Sequence, residues 1–206
     1  MLVSSGCVCR LAGVGNINVL RNTAHMVAYP WVDSLLGIRF GENYFRVLIY
    51  VIGEICVIEK AKYEDLEEIL VLQKLAYQSE AELCNDFSIP PLIQTLEGII
   101  EDYRNQTILK VEWGGKIIGS IRAFKKEDVC HIGRVIVHPE HQNKGIGKNL
   151  MKSIEEMFSE CSIYSLFTGK QSLRNRYFYG SLGYKEVKEE YVSDKLSFIF
   201  LEKSSR

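Results

Sequence analysis

The stretch from Val135 to Met151 holds the residues of this chain best suited to chemistry: Val135-Ile136-Val137-His138-Pro139-Glu140-His141-Gln142-Asn143-Lys144-Gly145-Ile146-Gly147-Lys148-Asn149-Leu150-Met151. A β-branched run ends at His138-Pro139, and a polar loop then opens through two glycines into a helical pattern. The first turn of a helix has N–H groups without internal partners and the positive end of the helix dipole. Phosphates bind there. Gly145 can take a positive φ in the turn, and glycine at 145 and 147 leaves the backbone open to a pyrophosphate. Lys144 and Lys148 add charge at the mouth. The pattern lacks the third glycine of a dinucleotide-binding fingerprint and the Gly-Lys-Ser/Thr ending of a P-loop. Taken alone, Gly-x-Gly at a helix start is also an ordinary tight turn.

The elements around this loop follow from hydrophobic spacing. Ile55–Glu59 reads as a short strand, and Asp65 offers a cap for a helix reaching about Glu82 through Leu66, Ile69, Leu70, Leu72, Leu75 and Ala76. Asn85 to Pro91 reads as a loop closed by Pro90-Pro91, with a second helix from Leu92 to Tyr103. Strands Thr107–Trp113 and Lys116–Lys125 flank the two-residue turn Gly114-Gly115, and Val129–His138 is the third strand of this group. A helix from Gly145 to Ser159, a strand at Ser162–Thr168 and a helix from Ser172 to Leu182 follow. Tyr184–Val192 and Lys195–Leu201 close the chain as strands. Helices interleaved with strands indicate an α/β (α+β) layered domain, and the hairpins require a mixed sheet.

Bulk composition narrows the possibilities. The chain has 206 residues, 47% of them apolar and 25% charged, as in a soluble globular protein with one sizeable core. A net charge of −1 argues against broad nucleic-acid or anionic-membrane binding, so any anion site is local. All fifteen lysines lie at Lys60 or later, a composition step that separates an N-terminal extension, residues 1–54, from a domain over residues 55–206. Within the extension only Tyr44 to Ile52 reads as a strand. The six cysteines, at 7, 9, 56, 84, 130 and 161, show no zinc spacing, so no metal is expected and reduced thiols in the cytoplasm fit best. The first twenty residues lack the pattern of a signal peptide, and the apolar run Val47 to Ile58 is short for a membrane span and contains Glu54.

The loop segment closely resembles the acetyl-CoA motif of the GCN5-related N-acetyltransferases, Gln/Arg-x-x-Gly-x-Gly/Ala after a strand, with Gln142, Gly145 and Gly147 in the pattern. Asn175-Arg176-Tyr177-Phe178-Tyr179-Gly180-Ser181-Leu182-Gly183-Tyr184 resembles a second segment of that family. The resemblance covers about residues 55–202. It implies a mixed, mostly antiparallel central sheet with helices on both faces, and transfer of an acetyl group from acetyl-CoA to the primary amine of a small molecule, peptide or protein. It also implies that the pantetheine arm lies between strands Ile132–His138 and Ser162–Thr168, touching Val135, Ile136 and Val137. The pyrophosphate would then rest on the N–H groups of Gln142, Asn143, Lys144, Gly145, Ile146, Gly147 and Lys148. A backbone N–H near Val137 would polarise the thioester carbonyl.

In the family pattern Tyr179 stands where a tyrosine protonates the leaving thiolate, and Asn175 where an asparagine holds the CoA arm; Tyr177 and Phe178 read as packing residues. An amine with a pKa of about 10 is mostly protonated at neutral pH, so a base or a water chain must take its proton. The strand before the loop has no glutamate nearer than Glu127, which leaves His131 as the candidate, against the alternative of a surface histidine. His138 and His141 read as loop residues. Tyr77, Glu80, Glu82, Asp86 and Phe87 cluster where an amine acceptor would enter, and they read equally well as solvated surface. Without a clear base, a non-catalytic acyl-CoA sensor is the alternative function, and transfer of a longer acyl group a further one. Relatives are often homodimers, but no feature of this sequence establishes that state.

Overall fold

The computed structural model describes residues 46–51, 54–193 and 196–205. Expectations for the first 45 residues, including Cys7 and Cys9, lie outside the described residues. In chain order the elements are β1 (Arg46–Val51), β2 (Glu54–Lys60), α1 (Leu66–Ala76), α2 (Gln78–Cys84), α3 (Pro90–Ile93), α4 (Leu96–Asn105), β3 (Thr107–Trp113), β4 (Lys116–Lys126) and β5 (Val129–Val137). After these come α5 (Ile146–Met157), β6 (Ile163–Gly169), α6 (Leu173–Ser181), β7 (Lys185–Ser193) and β8 (Leu196–Ser204).

One sheet of eight strands runs β1-β2-β3-β4-β5-β6-β8-β7, with β5–β6 its only parallel pair and every other neighbour antiparallel. β1 pairs with β2 from Arg46↔Glu59 to Val51↔Glu54, so the sheet begins upstream of the composition step. Gly114 and Gly115 both take positive φ, +59° and +76°, as a two-residue hairpin turn with the twist of its strands requires.

Two apolar layers cover the sheet. On one face α5 sets Ile146, Leu150, Met151 and Ile154 against Leu109, Val111, Ile121, Ala123, Cys130 and Ile132. On the other, α1 and α4 set Leu66, Ile69, Leu70, Leu72 and Ile99 against Ile108, Ile117 and Ile136. This second face also buries a cation. Arg122, 1% exposed, gives one guanidinium nitrogen to Asp102 at 2.6 Å and the other to Gln73 at 2.7 Å. Burial holds its pKa down to about 10, against the pull of Asp102. Gln73 also donates to Gln94 and to the Pro91 carbonyl, each at 2.8 Å, so the network ties α1, the α3–α4 turn and β4 together.

Local chemistry moves several element ends from their expected places. Asp65 does not cap α1; its carboxylate accepts from the Lys62 N–H at 2.7 Å and from buried Lys110 at 2.8 Å. The long first helix is two, α1 and α2, parted at Tyr77, whose side chain still packs against the α1 cluster. Pro90 and Pro91 open the short helix α3, because a first turn has no use for the N–H groups that proline lacks. The next helix then starts at Leu96, where Thr95 Oγ1 accepts from the Gly98 N–H at 3.2 Å.

Candidate active site

Two features of β5 create a cleft. The first is a parting of strands. β5 and β6 pair only from Val129↔Ile163 to His131↔Ser165, after which β6 continues with β8 and, among the described residues, no strand lies beside the β5 edge. The second is a bulge against β4: Ser120↔Ile136 and Arg122↔Gly133 set three steps on β5 against two on β4. Arg134 lies in it with φ +51°, a left-handed conformation that is unusual for arginine. Beyond the bulge the His138 N–H donates to Ile118 O at 2.8 Å. Antiparallel alternation then turns the Val137 N–H and carbonyl away from β4, toward the open side.

The loop after β5 is held at several points. The Gln142 side-chain amide donates to the Val137 carbonyl at 3.2 Å, and the Lys144 ammonium to the Glu140 carbonyl at 2.7 Å. The Glu140 N–H donates to His138 Nδ1 at 3.3 Å, and the His141 ring packs on Trp113 at 4.8 Å. His138, Glu140 and His141 bring three donor atoms within 4.8 Å of one another, and no metal is assigned to them. Burial, Lys144 and His138 all lower the His141 pKa.

Asn143 takes φ +60° and Gly145 φ +82°, and α5 begins at Ile146. The N–H groups of residues 143–148 donate to no backbone carbonyl among the described residues, whereas that of Gln142 reaches Pro139 O at 3.4 Å and that of Asn149 reaches Gly145 O at 3.0 Å. Six consecutive unpaired amides around a helix start fit a diphosphate. The glycines differ in their work. Gly145 supplies the left-handed turn, but a Cβ at Gly147 would sit 3.3 Å from the Phe178 ring, so Gly147 serves the close approach of α5 and α6.

The α6 residues converge from the other side. Tyr179 is 8% exposed, packed between Phe178 and Tyr184. Burial, with Tyr77 and Glu80 nearby, raises its pKa above the ordinary tyrosine value. Asn175 donates to Glu80 at 3.0 Å and to Thr168 at 3.4 Å, and Ser172 donates to the same Glu80 oxygen at 2.8 Å. The Asn175 amide nitrogen is thus engaged within the protein. Tyr184 is buried and donates to Glu155 at 2.9 Å. Phe178 packs against the core as expected, while Tyr177, expected to pack, is 81% exposed among the described residues.

His131 sits at the last position of β5 paired with β6, its ring stacked on Phe124 at 5.0 Å. Of the acceptor-side group, Tyr77 and Glu80 lie near Tyr179; Glu82 and Phe87 are exposed, and Asp86 accepts from the backbone and hydroxyl of Ser88. Sequence reasoning missed two residues. Arg174 reaches the Asn143 side chain at 3.3 Å and so brings a cation to the loop, and Arg134 packs its guanidinium over Tyr77 at 5.7 Å. Arg134 could have been found: it lies inside the motif strand, though a bulge is not visible in sequence.

Comparisons agree with this geometry. Residues 71–205 match the family model described as acetyltransferase (GNAT) domain. The chain is 31% identical over 106 residues to an uncharacterized N-acetyltransferase of Chlorobaculum tepidum, a match over 51% of this chain and 65% of that relative's length. The fold is similar to that of the ribosomal-protein-S18-alanine N-acetyltransferase of Escherichia coli, with TM-score 0.61 and 14% identity over 72% of this chain and 93% of that one. It is equally similar to PaiA N-acetyltransferase of Thermoplasma acidophilum in complex with coenzyme A, with TM-score 0.60 and 19% identity over 72% of this chain and 98% of that one. A family model matched over most of the chain, on a sheet parted beside an open helix start, places this protein in the GNAT acetyltransferase family.

Proposed function

We propose that the protein moves the acetyl group of acetyl-CoA directly to a primary amine. The observation that carries this reading is the parting of β5 from β6 beyond His131, next to the unpaired amides of residues 143–148. The free β5 edge suits an extended, amide-bearing arm that would pair as an added strand. The amides, with Arg174 and Lys148 close by in the fold or the chain, suit its diphosphate. When bound, acetyl-CoA supplies an acyl carbon activated as a thioester.

The chain's own residues would do the rest. The Val137 N–H, turned off β4, is assigned to the carbonyl oxygen as charge builds there. The amine nitrogen forms its bond to the acyl carbon as the carbon–sulfur bond breaks. Tyr179 gives its proton to the departing sulfur; its raised pKa keeps the hydroxyl protonated and available. His131 takes the amine proton, directly or through water. By strand alternation it shares a β5 face with Gly133, where a Cβ would meet open space.

The thiols of Cys84, Cys130 and Cys161, which form no disulfide, suit a reducing compartment such as the cytoplasm. Among the described residues no helix is long and apolar enough to cross a membrane.

Release of free thiol from acetyl-CoA, followed over a panel of amines and peptides, tests the reading. Amine-dependent release is expected. Tight acetyl-CoA binding with no product from any acceptor would instead support a sensor, a role favoured by the engagement of His131 with Phe124.

A further inference from the structure

Among the described residues, one cation and one anion on the proposed acceptor side of the cleft have no opposite charge paired with them. Arg104, Arg122 and Arg176 each grip a carboxylate. Arg134 grips none among the described residues, although it is half-buried and held at φ +51° in the bulge beside the free β5 edge. Its only described partner is the Tyr77 ring, and its charge works against that of buried Arg122. A partly desolvated guanidinium between a π-face and another cation lacks an anion.

Glu80 is the mirror case. One oxygen is fixed by Ser172 and Asn175, and no lysine or arginine pairs with the carboxylate among the described residues. Tyr77 and Glu80 are three residues apart, on one face of α2 and its N-terminal end, and both bear on Tyr179. Arg134 lies over Tyr77 and Glu80 follows one helical turn later, so an anion seeker and a cation seeker meet at the start of α2.

We propose that the acceptor is a free amino acid, whose ammonium is received by Glu80 and whose carboxylate pairs with Arg134 over Tyr77. This rests on the acetyltransferase reading and names its substrate class. Glu80 would bring the amine beside Tyr179, and Arg134, rigidly placed by the bulge, would select for the acid group through a forked pair of hydrogen bonds. Amines without a carboxylate leave Arg134 unpaired and are discriminated against for that reason.

The test uses the full chain loaded with CoA, which cannot react, and calorimetric titration of the standard amino acids and of their carboxamides. At least one amino acid is expected to bind the wild type about tenfold or more tightly than its carboxamide, the scale of one unmade charge-assisted bond. Arg134→Gln should erase that preference while leaving CoA affinity and melting temperature unchanged. Glu80→Gln should weaken acid and carboxamide alike. Equal binding of acid and carboxamide, no binding of either, or an equal loss of CoA affinity in Arg134→Gln would each overturn the proposal. Thiol release separates the two readings. If amines lacking a carboxylate are acetylated as well as amino acids, the transferase stands and the amino-acid site falls. If amino acids bind in an Arg134-dependent way but none is acetylated, the site stands and the transferase reading falls.

Discussion

The proposed donor and acceptor sides of the cleft are built by different means. The donor side is main chain: a β5 edge without a partner and six consecutive amides at the start of α5. Its geometry is set by a left-handed glycine and by strand pairing, and side chains such as Gln142 and Lys144 serve mainly to pin the loop. The acceptor side is side chain: Tyr77 and Glu80 at α2, Arg134 in the bulge and Tyr179 on α6, brought together by the whole fold. A main-chain site recognises what every reaction of the family shares. A side-chain site can be rebuilt for each acceptor without disturbing it.

The contrast is broken most severely at Gly145. Gly145→Val must place a β-branched residue at φ +82° and crowd the amides, so acetyl-CoA affinity should fall roughly a thousandfold while the domain stays folded. Gly147→Val is the matched control. Its Cβ meets Phe178, so thermal stability should drop as well, and calorimetry beside a melting curve tells the two glycines apart. A Gly145→Val protein with wild-type affinity would remove the main-chain site.

The acceptor side should fail first through its scaffold. Asp102→Ala leaves Arg122 buried without its carboxylate, a loss of about 3 kcal/mol in denaturant unfolding. Next comes Tyr179→Phe, which should lower turnover about a hundredfold with acetyl-CoA affinity nearly unchanged. The sign of the pH effect follows from burial: a pKa raised above 10 keeps the hydroxyl protonated, so tyrosine ionisation should cause no fall in wild-type turnover between about pH 7 and pH 9.5. Turnover that survives Tyr179→Phe across that range would cancel the acid role. The smallest effect belongs to Lys144→Gln. Its ammonium is tied to a loop carbonyl in solvent, so acetyl-CoA should weaken only about threefold, and less in high salt.

The same contrast explains what could be read from sequence. A phosphate loop is contiguous, and Gln142, Gly145 and Gly147 carry its signature in six residues; the strands and helices around it follow their periodicities to within a few residues. The break at Tyr77 was hidden, because Leu66 to Ala76 and the following turn share one helical stripe. The bulge at Arg134 was hidden too, since an extra residue on one strand shows only against its partner. Asn175 and Gly147 show a second limit. Their positions in the motifs matched the family, and the structure adds that the Asn175 amide nitrogen meets Glu80 and Thr168 and that a Cβ at Gly147 would meet Phe178. A motif names a position, and only packing says what that position touches.

The central claim is that amides 143–148 grip the diphosphate of coenzyme A. Amide-resolved NMR of the full chain during titration with CoA tests it most directly. The N–H signals of residues 143–148 should move together and become protected from exchange, with the Asn149 amide, already bonded to Gly145, changing least. Saturating CoA that leaves those six signals where they were, while others move, would contradict it.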